Sequence, residues 1–587
     1  MLLIQFVFCY LFRSGAGSAL DWISTKPDNH SEEENPGGSY GRKFVAPCPK
    51  KPLLHGNVYR PTGMARRPCL KMDIPETANS AAQNRALWLH IGWLLAFFFC
   101  LGAFLRIYNF WVVDLVLDEY GTWWSLATGD WGGVIHRVIS VQGQSPLYYF
   151  IVKLSSDLLG VGTFSLRLPS VLFGIGAIGL AYPLGLRVFQ DRHAALLSVA
   201  SLAVNEMLIS YSQDARPYAF AVFCAMLSFF FYVSLLQSEK LPFRFGYVLA
   251  TAATFYAHYL FGFIVVIQTV YLFMTLGWSW LSEKGWRWTF LALALVCIPG
   301  GRQFVGLFAR RGSLNWIPLQ PWFAPVKLAV EFLDPWVFSA TALVVIAVRF
   351  GNPKGKTHDQ HRGLFNLILL WLLLPFLCFG LLPPLFGLRL VEARYVLCAA
   401  PAAAFIMAWL MARGRGAGRY QWLPLGVFLI VSFAHNLAPA LRATGNFGHR
   451  YNQGWAKAAK LLATFGQSDD LILVRTGFVE GDLLARSDPN PLLVSFVRWP
   501  LTAHLPAGDL YKMADLPFHA DDQTLPYISS LLSQAAKYRR LWMIDQAATS
   551  PMIPDLARTL HNDLHFSLRQ QIIYDQVRVL VLERDGK

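Results

Sequence analysis

The chain has 587 residues, of which 55% are apolar, 15% aromatic and only 15% charged, with a mean hydropathy of +0.38. Soluble globular proteins carry about 25% charged residues, so the composition predicts one large polytopic membrane body and excludes a disordered or collagen-like chain. The net charge of +15 (51 Lys and Arg against 36 Asp and Glu) comes with no zinc spacing or nucleic-acid module. It is therefore assigned to cytoplasmic loops, where Lys and Arg accumulate, and a nucleic-acid partner is excluded.

Residues 1–86 are compositionally unlike the rest. They open on a signal-like apolar run without a basic leader and continue into a Pro-, Gly- and Lys-rich stretch, expected to be disordered. The favoured reading is a dispensable cytoplasmic tail, or a chain whose synthesis starts near Met64 or Met72. Apolar runs of spanning length follow at about 88–108, 168–187, 194–212, 216–236, 243–258, 260–278, 288–307, 326–348, 364–386, 393–412 and 421–440, eleven in all. The connectors holding Arg187 and Arg192, Lys240 and Arg244, Lys284 and Arg287, Arg349 to Arg362, and Arg413 to Arg419 fall on one side, which the positive-inside rule makes cytoplasmic. The other side then holds the loop 109–167, the turns near 211–219, 257–262 and 390–395, and everything beyond 441. This parity requires SPLYYFIVKLSSDLLG (145–160) to lie along the membrane.

Beyond 441 the composition turns soluble. GWAKAAKLLATFG reads as a helix, and LILVRTG, RRLWMIDQ and QVRVLVLER read as strands. The alternation predicts a small α/β domain at 441–587 outside the cytoplasm, with no evident catalytic motif. Eight cysteines form no close pair and none follows Cys398, so that region has no disulfide and no Cys-ligated metal. The expected architecture is an all-α polytopic bundle over 87–440 of about eleven transmembrane helices, with a long first outer loop bearing juxtamembrane helices.

Carboxylates at membrane depth are costly, so their placement is informative. Asp118 and Glu119 lie just outside the first span, among tryptophans and tyrosines. A carboxylate in apolar surroundings gains basicity and can take a proton from an alcohol. The other outward turns carry His136 and Gln144, then Arg167, Arg216 and Tyr218, His258 and Tyr259, and Glu392, Arg394 and Tyr395. Each alone reads as an ordinary interfacial residue. Together, arginines from three outer turns, a carboxylate pair and two histidines suit a lipid phosphate attacked by a hydroxyl or amine, since guanidinium binds phosphate bidentately and keeps its charge when partly buried. No phosphate loop or GxGxxG is present, which argues against a soluble nucleotide donor.

The ordered series DEYGTWW, GQSPLYYF, SLRLPSVLFG, YSQDARPYA, AHYLFG and EARYVLCAAP resembles the family 39-type C-class membrane glycosyltransferases, the group of protein O-mannosyltransferases and aminoarabinose transferases, over about 88–440. The resemblance implies a polyprenyl-phosphate-linked sugar as donor and a glycan, lipid or protein acceptor outside the cytoplasm. It also implies inversion at the anomeric carbon, with Asp118 as base and Glu119 orienting it or touching the acceptor. Relatives often carry Lys or His directly before the Pro of GQSPL, where it assists the lipid phosphate. Here Gln144 and Ser145 stand in its place, so Arg167, Arg216 or Arg394 would have to bind the phosphate. No cofactor is required by this chemistry and no metal-ligand cluster is evident; a divalent ion at Asp118 and His136 is the open alternative. The expected location is the cell (inner) membrane, multi-pass, with the site and C-terminal domain facing outward. Two rivals stand beside the enzyme reading: a transporter or flippase of lipid-linked glycans, and a non-catalytic scaffold.

Overall fold

The computed structural model describes residues 78–309, 317, 321, 323–351, 364–386, 389, 391–414, 420–448, 452–486, 490–506, 511–546 and 552–585. The expected extension before residue 78, most of the outer stretch 308–325 and the basic connectors 352–363 and 415–419 lie outside them. The chain divides into two compact units, residues 1–90 and 91–587. Of the first, only Ala78–His90 is described, as the opening of helix α1 (Ala78–Ile107).

The second unit starts as a helical membrane body and ends in a mixed domain. Five segments are long and apolar enough to cross a membrane: His90–Ile107, Thr163–Phe189, Tyr218–Gln237, Tyr259–Leu281 and Leu423–Thr444. Two further ones are bent pairs, Arg192–Val204 with Glu206–Ser212 at 57° and Ala324–Phe332 with Pro335–Phe350 at 58°. Phe365–Gly380 and Leu397–Ala412 are shorter apolar helices. Leu241–Ala257 and Lys284–Ala309 are helical without meeting the same criterion. Every one of the eleven expected runs is thus helical, but among the described residues seven at most qualify as spans by length and composition. Hydropathy counts apolar runs; it does not register that a run is bent or short.

The break in the first bent pair positions much of the site. Arg106, 1% exposed, reaches from α1 and donates to the Ala203 and Leu202 carbonyls at 3.0 Å each, the acceptors left open where a helix stops. Asn205 then caps the next turn through Leu208 N at 2.9 Å, as an N-cap side chain does. Close approach makes this possible. A side chain at Gly174 would meet Ser212 Oγ at 2.1 Å, and one at Gly102 would meet Ile178 at 2.6 Å.

Between the first and second spans run three short helices: α2 (Leu117–Leu126), α3 (Trp131–Arg137) and α4 (Leu147–Leu159). At 13 residues, α4 is about 20 Å long, too short to cross a bilayer core of about 30 Å. The C-terminal part contains a five-stranded sheet ordered β2-β1-β3-β5-β4. Its strands are β1 (Leu471–Arg475), β2 (Lys512–Asp515), β3 (Arg540–Gln546), β4 (Phe566–Tyr574) and β5 (Val577–Arg584). β1 pairs parallel with β2 and β3, and β5 pairs antiparallel with β3 and β4. The fully buried LILVR of β1 reads as a central parallel strand should. Sequence patterning identifies β1, β3 and β5. The short, half-exposed KMAD and the solvent-facing FSLRQQIIY show no such apolar run.

The sheet domain rests on the segment between the first and second spans. Trp124 of α2 packs edge-on against Phe496 (5.1 Å between centroids), and Phe496 stacks on Phe478 at 4.4 Å. Trp124 Nε1 donates to Ser495 Oγ at 3.0 Å, and the Tyr120 hydroxyl lies 2.9 Å from His504 Nε2. Phe496 belongs to the helix Pro491–Thr502 and Phe478 to the turn after β1. Large buried aromatic faces dominate such interfaces.

Candidate active site

Asp118 and Glu119 are adjacent in the first turn of α2 and have opposite fates. Glu119 is fully buried. Its oxygens accept from Arg167 Nε at 2.7 Å and Nη2 at 2.6 Å, from Ala215 N at 2.6 Å and from Val116 N at 2.8 Å. Arg167, 1% exposed, spends its remaining donors on the carbonyls of Phe110, Val113 and Asp114 at 2.7–2.9 Å. Arg167, expected at the lipid phosphate, and Glu119, expected to orient Asp118 or touch the acceptor, are thus engaged with each other and with the backbone. This bidentate pair is saturated and shielded, and it locks the entrance of α2 to the second span and to the turn 213–217.

That turn carries Arg216. It is fixed by Thr122 Oγ1 donating to the Ala215 carbonyl at 2.8 Å, and by Gln213 Nε2 donating to the Leu105, Arg106 and Tyr108 carbonyls that end α1. Arg216 Nη1 lies 3.2 Å from the Asp118 carbonyl, 3.1 Å from Gln142 Oε1 and 3.2 Å from the Tyr149 hydroxyl. The Tyr149 hydroxyl is in turn 2.9 Å from Gln142 Oε1 and 2.7 Å from Gln144 Oε1. Although 92% of Arg216 is buried, given its 8% exposure, its Nε has no hydrogen-bond partner among the described residues. Burial opposes its charge, but Tyr149 and Asp118 beside it keep the guanidinium protonated beyond its ordinary range.

Asp118 keeps 41% of its side chain exposed, and Arg394 Nη1 meets its Oδ2 at 2.5 Å with 22% of the arginine exposed. Arg394 is likewise held charged by Asp118 against the opposing effect of burial. Tyr395 lies beneath that guanidinium, with its ring centroid 5.8 Å away. The His258 ring lies 5.5 Å from Tyr218 and 6.3 Å from Tyr395, and its Nδ1 has no hydrogen-bond partner among the described residues. Tyr259 bonds to Gln303 Oε1, and Gln303 Nε2 donates to the Gln144 carbonyl at 2.9 Å. Glu392 sits two residues before Arg394 and its charge reaches it.

The structure thus joins Asp118, Gln144, Arg216, Tyr218, His258, Tyr259, Arg394 and Tyr395 into one neighbourhood, with Glu392 at its edge. It does not bring His136 in. That residue is exposed on the last turn of α3, and its side chain makes no hydrogen bond among the described residues. A metal ion held by Asp118 and His136 therefore has no support in the geometry, and among the described residues no group of three or more His, Cys, Asp or Glu is placed to hold one.

Three contributors escape the sequence reading. Gln142 and Tyr149 flank the GQSPL segment, where the Gln and the aromatic run were the available signals. Glu480, in TGFVEGD, reads as an ordinary solvated turn. Its carboxyl is nevertheless pushed up to about 7, first by burial and then by the Asp118 charge, with Arg216 opposing.

Comparisons with known proteins bear on the fold. Residues 143–300 match the family model described as dolichyl-phosphate-mannose-protein mannosyltransferase. No curated protein sequence matches the chain. Among solved structures, ArnT from Cupriavidus metallidurans bound to undecaprenyl phosphate superposes with a TM-score of 0.51 at 13% identity, covering 85% of this chain and 98% of that one. AglB from Archaeoglobus fulgidus, solved with an inhibitory peptide and a dolichol-phosphate, gives 0.42 at 10% identity over 80% and 71%. The chain has the polytopic membrane fold seen in ArnT, and the segment similar to the mannosyltransferase family model lies within it.

Proposed function

We propose that the protein transfers a sugar from a polyprenyl-phosphate donor to an acceptor (glycan, lipid or protein) outside the cytoplasm, with inversion and with Asp118 as general base. The observation that carries this reading is the pairing of a half-exposed Asp118 with Arg394, beside Arg216, on the fold of an enzyme solved with undecaprenyl phosphate. Orientation and cell-membrane location rest on the Lys- and Arg-rich connectors. The domain division is a transferase body at 87–440 and an outer domain at 441–587.

The chemistry follows from the charges. The donor phosphodiester carries one negative charge and the departing polyprenyl phosphate gains a second. As the acceptor oxygen bonds to the anomeric carbon, its proton passes to Asp118, and the C–O bond to phosphate breaks with its electron pair going to the phosphate. Arg216 and Arg394 offset the charge that develops there, and such fixed donors are the largest contribution in many active sites. A donor phosphate reaching Arg394 would compete with Asp118 for its guanidinium, so donor binding would also free the base. The protein then supplies orientation, a proton acceptor and electrostatic support.

The test feeds membranes containing wild type or Asp118→Asn a panel of radiolabelled polyprenyl-phosphate sugars. Lipid, glycan and protein fractions are scored separately. Label leaving the lipid only with wild type supports the reading and identifies the acceptor class. Transfer retained in Asp118→Asn removes the base assignment, and no transfer from any donor with wild type favours lipid-linked glycan transport.

A further inference from the structure

Glu480 belongs to the sheet domain but is placed against the outer loop of the membrane body. It ends the turn Gly477–Glu480 that leaves β1, and its carbonyl accepts from Leu483 N at 3.0 Å to start the following helix Gly481–Arg486. Gly477 holds φ +91, and a side chain there would meet Leu117, next to Asp118, at 3.4 Å and Gln546 at 2.3 Å. One residue on, Phe478 stacks on Phe496, which packs on Trp124 of the helix that carries Asp118. At the far end, Asp482 takes the backbone N of His519 at 2.9 Å and lies 2.7 Å from its ring Nδ1. The turn is therefore clamped at both ends, and Glu480 sits half-buried between the clamps.

Its surroundings make it an unlike neighbour for a phosphate. Glu480 feels the charges of Asp118 and Arg216 from the membrane body and of Asp482 from its own domain. A carboxyl beside Asp118 repels a lipid phosphate, which the arginines already attract on their side. It suits a group with hydrogen-bond donors instead, and the acceptor brings one such group in its attacking hydroxyl.

We propose that Glu480 is an acceptor-positioning residue supplied by the C-terminal domain, taking a hydrogen bond from a donor group of the acceptor beside the hydroxyl that Asp118 deprotonates. This rests on the transferase reading above. A carboxyl titrating near neutrality gives the contact a pH signature, because only the ionised form accepts with both oxygens.

The experiment compares wild type, Glu480→Gln and Glu480→Asp in membranes with their endogenous acceptors, using the active donor from the panel at saturation. Undecaprenyl phosphate serves as the binding probe. Expected for Glu480→Gln are a tenfold to hundredfold fall in transfer (the order of a lost charged hydrogen bond), undecaprenyl phosphate affinity within threefold of wild type, and retained release of sugar to water. The rise in transfer through about pH 7 should also disappear. Unchanged transfer, or undecaprenyl phosphate affinity falling in step with transfer, overturns the proposal. Should Glu480→Gln fail to fold, Glu480→Asp, which withdraws the carboxyl by one methylene, carries the same transfer and affinity criteria, without the pH criterion because a titrating carboxyl remains. Wild type that transfers nothing removes the transferase reading itself and this one with it, whereas an active wild type with an unaffected Glu480 variant removes this one alone.

Discussion

Arg394 Nη1 lies 2.5 Å from Asp118 Oδ2 although 276 residues of chain separate them. A carboxylate paired with guanidinium is a poorer base than a free one, so on the proposed mechanism Asp118 gains basicity when an anion draws the arginine away. Arg394→Ala should therefore act in two directions. Polyprenyl phosphate should bind about tenfold to hundredfold more weakly, while any residual release of sugar to water at saturating donor should fall by less than the affinity does, because Asp118 no longer shares its charge with Arg394. Calorimetric binding of undecaprenyl phosphate, alongside initial rates, checks both.

Arg216→Ala should weaken undecaprenyl phosphate binding by a similar factor, and Arg216→Lys should recover only part of it. A lysine offers point charge without the planar fork. Equal affinity for both variants and wild type would take Arg216 out of the donor site.

The saturated Glu119–Arg167 pair predicts a different phenotype for its members. Arg167→Met leaves a carboxylate buried without a counter-ion and should destabilise the fold by about 3–5 kcal/mol. Lowered yield and melting temperature in detergent are expected, with phosphate affinity per folded molecule preserved. A selective loss of phosphate binding at unchanged melting temperature would return Arg167 to the donor site.

Glu480 links stability to pH. Its carboxyl is raised from 4.5 to about 7 in the folded chain, so the native state holds a proton that the unfolded state has released between these values. This group's contribution is greatest below about pH 4.5 and declines as pH rises to about 7. Glu480→Gln should remove that decline, which melting curves across pH 4–8 would display as a smaller loss of stability toward pH 8.

Phe496→Ala should loosen the seat of the sheet domain on the outer loop. Phe496 is 3% exposed between Trp124 and Phe478, and truncating a buried Phe costs about 3–5 kcal/mol. Faster proteolytic release of a C-terminal fragment, with the membrane helices intact, is the expected readout.

The sequence announces what depends on composition and order. The spans, the outward turns and the acidic pair are visible because each is an apolar run, a charge where charge is costly, or a motif in series. Roles within the acidic pair are not visible. Asp118 and Glu119 differ by one residue, and only the helix entrance decides that Glu119 turns inward to Arg167 while Asp118 turns to Arg394. Arg167 and Arg216 look equivalent as helix-end arginines, yet one meets five backbone and side-chain oxygens in its own wall and the other retains an unpartnered Nε. Glu480 is illegible because its burial and the Asp118 charge both come from the fold, and nothing in TGFVEGD refers to either.

The order in which these groups leave the ribosome has a consequence for the cell. Asp118 is made early, Arg394 much later, and the turn at Glu480 later still, about 360 residues after Asp118. At roughly 5–20 residues per second, the half-built helices wait in the membrane for some tens of seconds, amid the lipid donors, without an assembled acceptor side. On the transferase reading proposed above, a chain still being made would lack the domain that places the acceptor, so transfer to it waits on the last segment to leave the ribosome.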